Sequence, residues 1–386
     1  MRIKKVIKNL LERITIVIKR FCWFFYYGTK IILFESHYEY DGNSGALYKY
    51  LRSIRKYNRY TFVWIVKGYE DGKIPNTRRD LIFSENNRSL LKKYLRNHAS
   101  FSFYDDVPIE ARGKNAKTIY LTHGQMSLKD SSTLIRVPDD VGYALCVSDF
   151  YKPIFCSKFN IPHEKVFICG MPRDDVLFQP KKDVSFLFNP DSYSFVVLWL
   201  PTFRKNKYSE RNDSNEELPF GIPLFTNLSK FKKLNEFLIE KNMLFVIKLH
   251  PSQDLTVISK ISFSNIVFID HQTLINHRIA TNDLFPHSHA LITDYSSVAI
   301  DYMLIDKPLA YLEENKNAYK LNVSQEYYDL MTPGEKIKTT DELLLFLNKI
   351  CEGIDEYKKE RNAFIEKAYR YRDGNNCQRI VERFKL

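Results

Sequence analysis

Short apolar runs alternate with longer amphipathic stretches along almost the whole chain, and this alternation restricts the fold more than any single motif does. Runs that are apolar at every position, rather than at every second one, suit strands buried on both faces of a parallel sheet. The amphipathic stretches between them suit the helices that must cover those faces. In the first half, strands are expected at 30–35, 60–67, 99–104, 117–122, 143–147 and 166–169, with helices at 44–57 and 88–96. The pattern then restarts, with strands at 195–200, 244–249, 266–269, 290–293 and 309–312 and helices at 343–350 and 357–371. A chain of 386 residues exceeds one ordinary core, so the two series read as two Rossmann-like α/β domains. A polar, proline-flanked stretch at 179–190 sets the boundary, giving domains at 29–182 and 183–386.

An apolar content of 44% with 15% aromatic residues argues for well-buried domains and against extended disorder. A net charge of +12 calls for a polyanionic neighbour: nucleic acid, an anionic membrane or a phosphate-rich substrate. The six cysteines are scattered, without a C-x-x-C pair, so neither a zinc ribbon nor a disulfide framework is expected, and reduced thiols fit the cytosol. No RNA-binding strand motif or zinc module accompanies the charge, which sets nucleic acid aside as a partner.

Residues 1–28 read as a separate element. Ile3, Val6, Ile7, Leu10, Leu11, Ile14, Val17, Ile18 and Phe21 recur at helical spacing, the polar side carries seven basic residues against the single acid Glu12, and an aromatic run follows at 21–27. Charges interrupt every stretch long enough to span a bilayer, and Lys19 and Arg20 break the apolar core that a signal peptide needs. A basic amphipathic helix lying on the inner face of an anionic membrane is the expectation.

The chemistry-bearing residues cluster just after predicted strands, where open α/β sheets gather ligands. Thr293-Asp294-Tyr295-Ser296-Ser297 carries a strand into a helix start, whose unpaired N–H groups and dipole favour a phosphate. Asp301, one turn beyond Ser297, is placed to accept hydrogen bonds from sugar hydroxyls. Thr122-His123-Gly124-Gln125 follows another strand, and Gly124 permits close backbone approach. Lys248-Leu249-His250-Pro251 puts two cationic-capable groups on one strand face. Gly170-Met171-Pro172-Arg173-Asp174 offers a guanidinium, and Pro201-Thr202-Phe203-Arg204 a hydroxyl with a further cation. The polar tract 204–223 follows directly and reads as a mobile surface loop that acts as a lid. Taken singly, each motif also has an ordinary structural reading: capping serines, a surface lysine, a loop histidine.

Together, in this order and spacing, the five motifs resemble the CDP-glycerol glycerophosphotransferases of teichoic-acid synthesis, a likeness extending from about Phe34-Glu35-Ser36 to Asp373-Gly374-Asn375. The resemblance implies two domains of the glycosyltransferase B type facing a cleft, the first for the acceptor and the second for the CDP-alcohol. It implies a peripheral position on the cytoplasmic membrane face and no cofactor or catalytic metal. His123 would be the general base, and His250 with Lys248 would bind the pyrophosphate. Arg173, Thr202, Ser296 and Ser297 would contact phosphates or nucleotide, Asp301 the ribose or donor alcohol, and Thr122, Gly124, Gln125 and Pro201 would line the same substrate sites. The reaction expected is transfer of glycerol phosphate from CDP-glycerol to a hydroxyl of a lipid-linked or polymeric glycan acceptor, with release of CMP, for a teichoic acid or a capsule. Members often carry Trp before the His-Gly pair and two lysines after it. Thr122 and the 125–130 stretch differ, which sets the acceptor side apart.

Three other readings stay open on the sequence: a CDP-ribitol phosphotransferase, a nucleotide-sugar glycosyltransferase of the same fold, and a non-enzymatic basic lipid- or nucleic-acid-binding protein. With no large additional domain in view, a compact primase-like or single-linkage enzyme is expected.

Overall fold

Buried strands that are apolar throughout assemble into two sheets, one for each series of apolar runs. The computed structural model describes residues 2–27, 30–37, 42–67, 79–105, 117–124, 142–202, 218–250, 257–294, 296–313 and 327–386. The first sheet holds β1 (Ile31–Ser36), β2 (Thr61–Val66), β3 (Asp80–Ser84), β4 (Phe101–Tyr104), β5 (Lys117–Tyr120), β6 (Tyr143–Cys146) and β7 (Val166–Ile168), in the order β3-β2-β1-β4-β5-β6-β7. The second holds β8 (Phe195–Trp199), β9 (Met243–Lys248), β10 (Ile266–Ile269), β11 (Ala290–Thr293), β12 (Leu309–Leu312) and β13 (Glu335–Ile337), in the order β10-β9-β8-β11-β12-β13. The ladders from β3 through β6, and all those of the second sheet, run parallel.

In each sheet the strand order reverses once, between β1 and β4 and between β8 and β11. At such a point the connections depart to opposite sides and leave a crevice beyond the carboxyl ends of the two strands. Two of the expected site segments lie at the second reversal. Thr202 follows β8 and Ser296 follows β11, while His123 follows β5, the neighbour of β4.

Every anticipated strand forms, within two residues at each end. Two further strands, β3 and β13, were not anticipated. Both are edge strands of three to five residues, and Glu335-Lys336-Ile337 has no apolar run to signal it. The first-half helix expected at 44–57 spans Gly42–Ser53 and gives way to a tighter turn at Arg55–Arg59. The sheets change over across the polar 179–190 stretch. The compact units divide earlier: one comprises Met1–His123, Ile135–Leu145 and Glu164–Phe167, the other Gly124–Leu134, Cys146–His163 and Ile168–Leu386. Most of the expected lid lies outside the described residues.

Within the first unit the helix Arg2–Tyr27 is tied down at its end. Tyr27 is buried with Val63, Leu81 and Leu95, Trp23 packs on Tyr94 with ring centroids 5.4 Å apart, and the Tyr27 carbonyl accepts from Thr61 Oγ1 at 3.1 Å. Leu11, Ile14, Val17, Ile18, Phe21, Phe24 and Phe25 remain exposed. No helix among the described residues is long and apolar enough to cross a membrane.

The second unit is built on a core where Trp199, Phe225, Phe231 and Phe245 meet beneath the helices Leu228–Glu240 and Thr340–Glu352. Its carboxy-terminal helix, Asn376–Phe384, is anchored on the turn Pro172–Phe178: the Asp175 carboxylate accepts from the backbone N–H groups of Asn376 at 2.9 Å and Cys377 at 2.8 Å. That contact does the work of an N-cap from a distant part of the chain. Asp175→Ala leaves both donors buried without a partner and is expected to cost about 1 to 2 kcal/mol, read as a lower urea midpoint at unchanged slope.

Candidate active site

The second sheet reverses between β8 and β11, and the two strand ends are fastened together there. Thr293 Oγ1 donates to the Leu200 carbonyl at 2.8 Å. One residue further on, Asp294 Oδ2 accepts from the Thr202 backbone N–H at 3.1 Å and also from the Thr202 hydroxyl. Asp294, Pro201 and Thr202 are all buried. Sequence reasoning singled out Thr202 and the serines but passed over Asp294. The signal was in plain view, since an acid directly after an apolar strand needs a partner once buried.

Ser296 and Ser297 are half-buried at the start of the next helix. That helix, Val298–Tyr302, is only five residues long before it tightens into Met303–Ile305. Ser297 stands at the cap position but makes no capping bond with its side chain, whereas the Ser296 hydroxyl accepts from the Val298 N–H at 3.4 Å. A helix this short develops little macrodipole. An anion at this corner would therefore meet hydroxyls and arginine more than the dipole expected from sequence. Lys248 ends β9 and is buried, and His250 is half-buried two residues later. Gln125, Phe203, Arg204, Pro251 and Tyr295 lie outside the described residues.

Arg173 enters from the turn after β7. Gly170 precedes it with φ of +82°, and a Cβ there would lie 2.0 Å from Asn376 Oδ1, so glycine is required on both counts. The Arg173 guanidinium meets Asp301 Oδ2 at 2.6 Å, and Tyr369 donates its hydroxyl to Asp301 Oδ1 at 3.2 Å. Asp301 is fully buried. The four-residue spacing from Ser297 does set it one turn along, but the short helix turns that face inward. The carboxylate therefore meets Arg173 and Tyr369, and not the open surface that contact with a ribose or donor alcohol would require.

Gly124 completes the corner. A methyl group built on it would fall 2.6 Å from Ser297 Oγ and 3.1 Å from a terminal nitrogen of Arg173, so bare backbone is all that fits. A hydroxyl, a guanidinium and the half-buried backbone of Gly124 thus converge within the second unit, a donor-rich surface suited to phosphate oxygens. In the first unit, His123 is exposed directly after a buried Thr122 whose φ is +67°. Among the described residues, no group of three or more His, Cys, Asp or Glu side chains comes together to hold a metal.

Two buried carboxylates share the neighbourhood of the one guanidinium. Asp301 holds the close ion pair, while Asp174 accepts from the neutral Asn282 amide at 3.2 Å. Burial, and then the charge of Asp301, push the Asp174 carboxyl well above the usual carboxylate range. A carboxyl whose folded-state pKa is raised favours the fold below its unfolded value, and that contribution is lost as pH rises through the folded one. Asp174→Asn removes the titration. It is expected to gain stability over the wild type at pH 7 and to lose that advantage near pH 3.5, measured by urea unfolding at both pH values. Asp301→Asn, which takes the charge from Arg173, is expected to cost about 3 kcal/mol or more at pH 7.

With the geometry in place, the relatives are informative. The family described as CDP-glycerol:poly(glycerophosphate) glycerophosphotransferase matches residues 17–385. The teichoic acid poly(glycerol phosphate) polymerase of Bacillus spizizenii is 22% identical over 406 aligned positions, covering 97% of each chain. The teichoic acid glycerol-phosphate transferase of Staphylococcus aureus is 22% identical, covering 91% of this chain and 92% of that one. Among solved structures, a variant of the wall teichoic acid polymerase TagF has the same fold, with a TM-score of 0.69 at 20% identity over 98% of this chain and 95% of that one. The chain belongs to the CDP-glycerol:poly(glycerophosphate) glycerophosphotransferase family and is an enzyme of that class.

Proposed function

We propose that this enzyme moves glycerol phosphate from CDP-glycerol to a hydroxyl of a lipid-linked or polymeric glycan acceptor, in teichoic-acid synthesis at the inner face of the membrane. The observation that carries this reading is the convergence of the Arg173 guanidinium and the Ser297 hydroxyl on the bare backbone of Gly124, with the buried Asp301 behind the arginine. Such a corner binds phosphate oxygens and leaves no space for a side chain in their place.

The acceptor oxygen attacks the β-phosphorus of CDP-glycerol. A new P–O bond forms, the bond from that phosphorus to the bridging oxygen breaks, and CMP departs with the electron pair. His123 takes the proton of the attacking hydroxyl, a role for which imidazole is suited near neutral pH and which contributes about 10² to 10⁴ in rate. Arg173, Ser296 and Ser297, with Lys248 and His250 on the pyrophosphate, answer the charge that accumulates on the phosphate oxygens. Each well-aimed donor is worth about 3 kcal/mol in a dry site. Asp301 and Asp294 hold Arg173 and Thr202 in place.

The helix Arg2–Tyr27 supports the membrane position. Its inward residues Trp23 and Tyr27 fasten it to the first unit, while the row Leu11, Ile14, Ile18, Phe21 and Phe25 stands in solvent beside Arg13, Lys19 and Arg20. A monomer seldom exposes such a row without an apolar phase to receive it.

Incubation with CDP-glycerol and a defined lipid-linked acceptor is expected to release CMP and add glycerol phosphate, read by mass analysis of the product. CDP-ribitol or a nucleotide-sugar proving the better donor would displace the assignment. His123→Ala is expected to lower turnover at least about 10²-fold, with calorimetric affinity for CDP-glycerol within a few fold. Changing Ser296 and Ser297 together to Ala is expected to weaken that affinity about tenfold, and equal affinity removes them from the donor site. Replacing Phe21 and Phe25 by Ser is expected to release the protein from phosphatidylglycerol vesicles in a sedimentation assay; retention on the vesicles would count against the helix as anchor.

A further inference from the structure

The backbone that presents His123 is bent the wrong way for its residue. Thr122, β-branched and 2% exposed, adopts φ of +67°, a region that such side chains avoid because Cβ crowds the following carbonyl. Strain of this kind persists only where the surroundings over-determine it. Here one side chain does so. The amide of Asn43, itself 1% exposed, donates from Nδ2 to the Thr122 carbonyl at 2.8 Å and to the Leu121 carbonyl at 3.3 Å. Both partners are carbonyl oxygens, so the orientation of the amide is fixed.

Asn43 is in turn held at the start of the helix Gly42–Ser53. The Ser44 N–H donates to Asp105 Oδ2 at 2.9 Å, just past β4. Gly42 has φ of +61°, and a Cβ on it would stand 2.9 Å from that same oxygen. On the other flank, the Leu121 N–H still follows the β5 ladder, donating to the Tyr104 carbonyl at 2.7 Å. The ladder thus runs to Leu121, and the chain turns at Thr122. The path is continuous within the first unit: the end of β4 fixes the helix start, the helix start fixes the Asn43 amide, and the amide fixes the carbonyls on either side of the strained bend. His123 follows immediately.

We infer that Asn43 is a positioning residue for catalysis, holding Thr122 in its left-handed conformation so that the His123 imidazole is aimed at the attacking hydroxyl. The inference rests on the reading of His123 as the base. If the amide is removed, Thr122 relaxes toward extended backbone and the chain direction at His123 changes. Misplacement of a reacting group by about 1 Å lowers the rate about 10²-fold.

The test uses the full-length enzyme with CDP-glycerol and a lipid-linked acceptor. Asn43→Leu keeps the volume and removes both donors. It is expected to lower kcat about 10- to 100-fold, with KM for CDP-glycerol within about twofold and calorimetric donor stoichiometry unchanged. The unchanged stoichiometry shows that the loss is in turnover and not in the fraction folded. Glycine accepts a positive φ without strain, so adding Thr122→Gly to Asn43→Leu is expected to recover kcat about tenfold. Wild-type kcat in Asn43→Leu overturns the inference. So does a kcat loss that Thr122→Gly leaves untouched, or one that falls in step with donor stoichiometry. If His123→Ala keeps its turnover, the base assignment fails instead. If His123→Ala is inactive while Asn43→Leu is normal, only the positioning role fails.

Discussion

The ion pair between Arg173 and Asp301 is the constraint around which the donor corner is built. Taking a guanidinium and a carboxylate out of water costs several kcal/mol per ion, and only close geometry with further hydrogen bonds compensates it. Those further bonds come from far along the chain. Tyr369 supplies one to Asp301, and Asp175 fixes Asn376 and Cys377 so that the carboxy-terminal helix closes over the turn carrying Arg173. The segment after Tyr369 lies close to the end of the sequence and far from any motif, yet it is part of what aims the arginine. The second acid, Asp174, is tolerated beside the pair because it sits next to a neutral amide and is driven toward its neutral form. With Arg173 and Asp301 paired and Asp174 driven toward its neutral form, the buried charges of the cluster balance.

Strand order decides where the Thr202 and Ser297 side of that corner forms. Parallel sheets of this kind present loops at the carboxyl ends of strands, and a reversal of order is the one place where two such loops diverge enough to admit a ligand. At the β8–β11 reversal the divergence is limited by Asp294, whose carboxylate gathers the backbone N–H and the hydroxyl of Thr202. This is a rigid device: a buried carboxylate with two donors on one oxygen defines the spacing of the two loops far more tightly than packing alone. The short helix after Ser297 then turns Asp301 back into the core, which converts a residue at a binding position into a support.

How much of this could be read in the sequence follows from the range of the interactions involved. Apolar runs such as Phe195–Trp199 and residues 243–247 declare themselves because burial on both faces removes polar residues from the body of the strand. Glu335–Ile337 does not, because an edge strand completes a ladder through its backbone and its side chains are free to be charged. Strand-end residues such as Thr202, Lys248 and Ser297 were legible for the same local reason: polar residues next to apolar runs stand out. Asp294 and Asp301 were each visible as acids, but their roles depend on partners 92 and 128 positions away, at Thr202 and Arg173. Tyr369 and Asn43 carried no local mark at all. A tyrosine just past the end of a helix and an asparagine near a glycine are ordinary until the fold brings them to a buried carboxylate and a strained carbonyl.

The two units solve different problems with related means. The phosphate subsite proposed for the second unit needs donors that do not move as charge develops, and the supports there are buried: Asp301, Asp294 and Tyr369 are each inaccessible, while Ser296, Ser297 and Gly124 retain surface. Reorganisation is then small, which is what makes such donors effective in a transition state. The base role proposed for His123 instead requires a ring that a bulky acceptor can reach, so the ring cannot be buried for rigidity. The first unit places the rigidity one residue earlier, in the backbone of Thr122, through the Asn43 amide and the anchored helix behind it. Strain is acceptable there because a residue held away from its preferred φ by two hydrogen bonds has few neighbouring conformations to wander into. The exposed His123 thereby gains a defined origin without losing access to solvent and acceptor. Fixity at Arg173 comes from buried charge, and fixity at His123 from a bent main chain.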